Sequence, residues 1–592
     1  MALIDVFKES TQQEILAELR SQQTILALMA NKYSIDEILR LVGASRTSLD
    51  ALVGAMIDGT NTTKLFKVWW PLAREQDEAQ KTTAEQNRYA TLCRWFTLLG
   101  NAWDGKIYTL RETWWENNTT GSPVLTPLDD LSGKTAAVCA TEETADDFDW
   151  ADEDPMTWYL RFNGLSLADG TMNVLAVEGV DDTFDISGNT APVYTGRLGL
   201  WKQHYSDGEY EYRHYRTTEA TGFRPWAADV APDGTHRPMN WQATFGGSKT
   251  ADGKLTSGSG FDGQSWSRNG NITAISMSVN AGLTAARLWD AYEGTFSDTD
   301  LAPIIDLFQL RHFNLENSGI IDGCLNYSLD YTVAMAEDSV TSVVVTVAQG
   351  NNFYVGSFLD IGTTARGGQI ARGNLLRKEA VTIDGTDYIR LHLDLPTAVN
   401  IPEGAHVATL PWTPGSTEHL PGHKDGSMYS CTSGKAPARI AGVELIDGAY
   451  AIGLDPLWQS NYNADRDPKS IYTIYQVRSG EHQAGSITAN HEESGTFTSN
   501  ATGWQYEKHY EIRDDDMLAP DAVGGSSSTF LKSAFYFSAS SGVCAPWRFC
   551  LLSYGGLGGL AGADGYSAPG SANWAGRPWL SGSGKTRGEW TA

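Results

Sequence analysis

Residues Gly555–Leu580 read GGLGGLAGADGYSAPGSANWAGRPWL. The run is studded with glycine, alanine and serine, and its aromatic side chains are Tyr566, Trp574 and Trp579. Glycine-rich loops on a rigid scaffold let side chains change without disturbing a core. Tyr, Ser, Asn and Trp supply adaptable hydrogen bonds beside rigid aromatic area at low entropic cost. With Ser553 and Tyr554 just upstream, the stretch reads as a recognition face built on loops.

Outward from that stretch, the chain has 592 residues, and length alone predicts roughly three to five domains. Hydrophobic residues make up 41% and aromatics 11%, enough for real cores and against long disorder. The formal net charge of −28 repels a polyanion, so nucleic acid is not an expected partner. Glycine (60) and tryptophan (20) are abundant, which predicts many short strands joined by structured loops. No apolar run approaches the roughly 20 residues of a membrane span, so no membrane insertion is expected. Met1–Glu9 carries no basic-then-apolar leader, so no cleaved leader is expected either. The fold class expected is multidomain and mostly β with a short helical N-terminal region.

Residues 11–33 read as a helix with Ile15, Leu19, Gln22, Leu26 and Met29 on one seam. Two readings stand: an oligomeric bundle that docks the protein in a particle, or a helix packed on its own domain. Ser34–Gly43 reads as a second helix with a capping-box pattern at Ser34 and Glu37, and Ser48–Ile57 as a third. A DNA-reading helix-turn-helix is set aside because its recognition helix offers Asp50 and no Lys or Arg after Arg46. Residues 58–64 read as a linker and 72–99 as helical again. From about 105 the texture changes to short strands. Val343–Val347 is a β-branched run expected as a buried strand. Tyr388–Leu395 alternates and is expected as a half-buried strand after the turn Asp384-Gly385. The domains expected are a helical assembly or attachment region (1–60), a mixed helical connector (61–150), β-rich domains (151–300 and 301–418) and a terminal domain (419–592).

Several catalytic and metal patterns fail. Of six cysteines (Cys93, Cys139, Cys324, Cys431, Cys544 and Cys550), only the last two lie close together, and no CxxC pair exists. Buried thiols are expected, with a Cys544–Cys550 disulfide as the alternative. Glu142–Asp154 is acidic and reads as a solvated loop. Asn463-x-Asp465-x-Asp467 approaches calcium-loop spacing, but Pro468 stands where such a loop needs glycine. Gly582-Ser583-Gly584-Lys585-Thr586 lacks the earlier glycine of a phosphate loop, since Trp579 takes its place. His419 and His423 flank Pro421 and Gly422, so no helix can put them on one face. No G-x-S-x-G elbow and no H-E-x-x-H appear.

The C-terminal half carries a resemblance. Leu307–Tyr331 reads LFQLRHFNLENSGIIDGCLNYSLDY, Ala348–Gly362 reads AQGNNFYVGSFLDIG, and Val407–Thr417 reads VATLPWTPGST. Leu420–Ala451 reads LPGHKDGSMYSCTSGKAPARIAGVELIDGAYA. Together these resemble a family of phage structural proteins, common in viruses of gut bacteria. Its members end in a C-type-lectin-like fold of the formylglycine-generating-enzyme type. The segment Gly555–Leu580 is similar to that fold's terminal stretch through Gly559-Leu560, Ala568-Pro569, Trp574 and Gly576-Arg577. The chain departs from the family at Phe549-Cys550, where members carry Gly-Gly, and in a shorter close at Gly576-Arg577-Pro578.

The resemblance implies a C-terminal C-type-lectin-like α+β domain over 419–592. Related phage and bacterial proteins use the terminal stretch as a hypervariable ligand surface diversified by a retroelement. The matching ligand-binding positions here are Ser553, Tyr554, Asp564, Tyr566, Ser567, Ser571 and Asn573. It places Trp574 in the core and makes Arg577 a buried anchor. The same fold hosts a copper-dependent oxidase with paired cysteines, but the phage relatives are not that enzyme. No catalytic residue, metal or cofactor is therefore expected. The function expected is a bacteriophage receptor-binding virion protein, a fibre or tail-tip adhesin located in the virion. Its partners would be a host cell-surface protein or glycan and other virion structural proteins, and a homotrimer would supply avidity of roughly 10² to 10⁴. The alternatives are a purely structural component, such as a head decoration or baseplate protein, and a surface-glycan depolymerase.

Overall fold

The computed structural model describes residues 62–80, 88–137, 156, 158–231, 233–261, 272–274, 277–290, 292–317, 320, 329–418, 437–445, 451–453, 457–477, 487–489, 491–513, 516–548, 563–564 and 580. Over these residues the protein is mostly β, with few helices. The helices expected at 11–33, 34–43 and 48–57 lie outside the described residues.

The described chain opens with helices Thr62–Gln80 and Arg88–Asn101. Leu65, Phe66, Trp69 and Trp70 on the first, and Leu92, Trp95, Phe96 and Leu99 on the second, are buried at steps of one, three and four. That period makes one apolar stripe per helix. The Phe66 and Trp69 rings lie 5.3 and 5.2 Å from Trp95, and Trp158 closes the cluster 5.5 Å from Phe66. The linker expected at 58–64 is corrected over Thr62–Lys64, the part of it among the described residues. Thr62–Lys64 form the first turn of the helix because Thr62 is buried and the Thr63 hydroxyl accepts from Trp158 Nε1 at 3.0 Å. The helical stretch expected at 72–99 is accordingly parts of two helices, the first beginning ten residues earlier.

Two antiparallel sheets follow. One has the strand order Thr126–Asp129, Tyr108–Thr113, Tyr210–Arg216, Trp201–Ser206, Arg224–Pro225. The other runs Met172–Val177, Tyr159–Ser166, Val193–Leu198, Met239–Ala243. Helix Asp298–His312 starts in a capping box, Ser297 with Asp300, and is buried along nearly its whole length. One hydrophobic cluster unites these elements with Ile440, Val443, Tyr510, Leu518, Leu531 and Leu580. The expected boundaries at 300/301 and 418/419 therefore do not coincide with the division of the cores. The helix crosses the first, and segments beyond 437 complete the main core.

Residues 329–410 are organised differently. Their sheet has the order Asp330–Thr332, His406–Leu410, Phe358–Thr364, Gly367–Ile383, Thr386–Leu393, Ser342–Thr346. A separate cluster of Val343, Val345, Leu359, Ile361, Leu375, Leu391 and Val407 fills it. The two ends of this unit meet: Thr409 N donates to the Leu329 carbonyl at 2.9 Å, and Arg366 donates to the carbonyls of both Thr409 and Leu329. The expected strand at Val343–Val347 is present one residue earlier, as Ser342–Thr346. Thr346 caps the next short turn, leaving Val347 39% exposed. Asp384 (φ 51°) and Gly385 (φ 77°) form the tight turn that starts Thr386–Leu393. Left-handed geometry at both central residues matches the twist of the flanking strands.

The C-terminal strands make two facing sheets. One has the order His491–Ser499, Ser470–Val477, Leu457–Tyr462, Gly542–Cys544. The other has the order Ala451–Gly453, Trp547–Arg548, Ala563–Asp564, Ala534–Phe537, Gly503–Ile512, Leu518–Val523. Trp458, Tyr472 and Phe497 meet Met517, Phe535 and Phe537 between them. Trp458 stacks on Phe535 at 5.4 Å and Tyr472 on Phe497 at 4.7 Å. Among the described residues after Gly350, the elements are strands apart from one 3-10 turn at Ser416–Glu418.

Candidate recognition surface

The glycine-rich terminal stretch is tied to the fold at its described positions. Trp547–Arg548 and Ala563–Asp564 pair antiparallel in one ladder. Ala563–Asp564 also pairs parallel with Phe535–Tyr536, and buried Leu580 bridges to Thr295. Arg548 secures the base. Its Nε and Nη2 donate to the two carboxylate oxygens of Asp298 at 2.8 and 2.6 Å, and Nη2 donates to the Leu518 carbonyl at 2.9 Å. A bidentate pair of this kind fixes orientation as well as distance. Asp298 is the first residue of its helix, where the dipole favours a carboxylate.

Of the positions expected to bind ligand, Asp564 lies in the strand Ala563–Asp564. Ser553, Tyr554, Tyr566, Ser567, Ser571 and Asn573 lie outside the described residues, as do Trp574, Arg577 and Cys550. Cys544 is a buried thiol whose Sγ donates to the Trp458 carbonyl at 3.4 Å. Asn463, Asp465 and Asp467 sit in an exposed turn held by hydrogen bonds within it and to Asn500. Asn463 Oδ1 accepts from Asp465 N at 3.0 Å, and Asp467 Oδ1 accepts from Asn500 Nδ2 at 2.7 Å. Glu142–Asp154, His419, His423 and Gly582–Thr586 lie outside the described residues. Among the described residues, no group of three or more His, Cys, Asp or Glu is placed to hold a metal, and no helix is long and apolar enough to cross a membrane.

The structure brings together an aromatic face that the sequence reading missed. In Tyr210–Arg216, sequence YEYRHYR, the side chains at 210, 212 and 214 project to one face and those at 211, 213 and 215 to the other. Tyr205 lies opposite Tyr212 in register. The ring planes of Tyr205, Tyr212 and His214 are parallel within 16°, with centroids 5.0, 5.4 and 6.1 Å apart. Arg111 lies over Tyr210 at 4.3 Å and Arg216 over Phe223 at 5.7 Å. The period-two alternation was the available signal, but it does not say which face meets solvent.

The opposite face carries charge in the interior. Arg213 lies 2.6 Å from Glu112 and 3.3 Å from Glu211. His509, from strand Gly503–Ile512, contacts Glu211 and Asp521, each at 2.8 Å, and packs edge-on to Trp114 at 5.1 Å. Burial by itself would depress His509, but the hydrogen bonds to Asp521 and Glu211 and the charges of Glu211 and Glu112 raise it to about 9. Burial raises Glu112 above the usual carboxylate range. It works the same way on Glu211, where Arg213 and His509 overcome it and hold the carboxyl down. Lys202 joins Asp516 at 2.5 Å and Asp306 at 3.4 Å, while Asp306 also accepts from Tyr215 Oη and Trp226 Nε1. These buried pairs stitch early strands to the C-terminal ones.

No protein-family model matches the chain, and no curated protein sequence matches it.

Proposed function

We propose that the chain is a bacteriophage receptor-binding virion protein that attaches the particle to a host surface protein or glycan through residues 553–573. The observation that carries this reading is the terminal stretch itself. It is rich in Gly, Ser, Tyr and Asn, and the described residues that flank it sit on a ladder, a buried ion pair and a buried leucine. A rigid base under adaptable polar and aromatic side chains is what loop-borne recognition requires. The motif series from Leu307 to Ala451 supports the phage context and the lectin-like terminal domain, with its seven ligand positions from Ser553 to Asn573. Weak single-site binding multiplied over a homotrimer would give firm attachment.

A truncation near 420 is a poor test, because Ile440, Val443, Leu518 and Leu580 belong to the main core. Substitution in place is cleaner. Particles carrying Tyr554→Ser with Tyr566→Ser are expected to assemble normally and lose host adsorption. Normal adsorption by those particles would remove the reading. Failure to assemble would favour the second one, in which the terminal domain packs inside the virion.

A further inference from the structure

We propose that the face bearing Tyr205, Tyr212 and His214 is a second ligand surface, which takes an uncharged saccharide chain independently of residues 553–573. Tyr205 is 46% exposed, and its ring is held against those of Tyr212 and His214 on two strands paired in continuous register. Its orientation is set by a chain of polar groups. Thr109 Oγ1 lies 2.5 Å from Asp129 Oδ2 and 2.7 Å from His214 Nδ1. An ionised carboxylate only accepts, so the Thr109 hydroxyl donates to Asp129 and accepts from Nδ1–H. That leaves Nε2 as the acceptor, and it faces Tyr205 Oη at 3.4 Å. Burial holds His214 below its usual range, in keeping with a neutral ring. The phenol hydrogen of Tyr205 therefore points inward, and its lone pairs are left for a donor from outside.

The surroundings select the occupant. The side chains on this face of the three central strands are Thr109, Arg111, Thr113, Trp201, Gln203, Tyr205, Tyr210, Tyr212, His214 and Arg216, with no aliphatic among them. Charge is balanced, because Arg111 and Arg216 lie over ring faces while Asp207 and Glu209 occupy the adjoining turn. A polyanion would also meet a chain of net charge −28. A pyranose offers an apolar C–H side to a ring face and a rim of hydroxyls that both donate and accept. This face supplies partners for both, on rigid strands.

The test titrates the full-length chain with maltohexaose and, separately, with the hexamer of N-acetylglucosamine, read by saturation-transfer NMR and calorimetry. At least one is expected to bind. Tyr205→Ala is expected to weaken that binding 10-fold or more, Tyr205→Phe by a smaller factor, and Tyr292→Ala, at an exposed tyrosine outside this sheet, not at all. Circular dichroism of Tyr205→Ala is expected to match the parent, since the side chain is half-exposed. Binding of neither sugar, undiminished binding by Tyr205→Ala, or an equal loss in Tyr292→Ala would each overturn the proposal. An intact Tyr205 site beside failed host adsorption, or the reverse, tells this surface from the terminal one.

Discussion

Arg548 and Asp298 stand 250 positions apart and share a two-pronged ion pair, with side chains 1% and 0% exposed. The pair joins the start of a central helix to the strand Trp547–Arg548. Burying both charges carries a desolvation cost close to what their attraction returns, so the main consequence is position.

Removing one partner should expose the asymmetry of such pairs. Arg548→Met leaves the Asp298 carboxylate buried without its counter-charge, and a loss of about 3–5 kcal/mol is expected. Urea unfolding measures it. The double variant Arg548→Met with Asp298→Asn should recover part of that loss, and no recovery would mean that the ion pair is not what the position needs.

His509 predicts an alkaline weakness. Its folded pKa is raised to about 9 from an ordinary 6.5, so its contribution is complete below pH 6.5 and disappears as pH climbs through about 9. The shift corresponds to on the order of 3 kcal/mol. Stability curves from pH 6.5 to 9.5 should fall more steeply for the parent than for His509→Gln. Parallel curves would contradict the assignment.

Residues 329–410 should fold alone. They have their own apolar cluster, and their ends are hydrogen-bonded to each other. The isolated segment is expected to show strand circular dichroism and one cooperative melt. Leu375→Ala, at a position with no exposure, should destabilise it by about 2–5 kcal/mol. A segment without a cooperative transition would show that it depends on the rest of the chain.

Gly442 has φ +78°, and a Cβ there would lie 2.6 Å from the Tyr159 ring and 2.7 Å from Thr195 Cγ2. Gly404 has nearly the same φ, +77°, in open space. Gly404→Ala should cost only the backbone strain, about 1–2 kcal/mol. Gly442→Ala should cost about 1–3 kcal/mol more, from crowding. Equal melting shifts in the two variants would show that the hairpin holding Gly442 can move aside.

Legibility followed distance along the chain. The turn Asp384-Gly385, the buried run Val343–Val345 and the mostly β texture depend on near neighbours, and each could be read directly. The linker expected at 58–64 gave way to helix over Thr62–Lys64, where Trp158, almost a hundred positions on, supplies a donor to Thr63. The aromatic face was half legible. The alternation of YEYRHYR announces two faces, but only pairing with Trp201–Ser206 and Tyr108–Thr113 decides that Tyr210, Tyr212 and His214 face outward and Arg213 and Tyr215 inward.

By itself, the order of residues determined the local vocabulary: where the chain turns, which segments alternate, and which stretch is rich in adaptable side chains. Tertiary structure decided which distant groups became partners, as with Arg548 and Asp298 or His509 and Glu211. The reason is energetic. Turn and strand preferences arise within a few residues. A buried charge is tolerated only where a counter-charge arrives, and its arrival depends on how all the sheets pack at once.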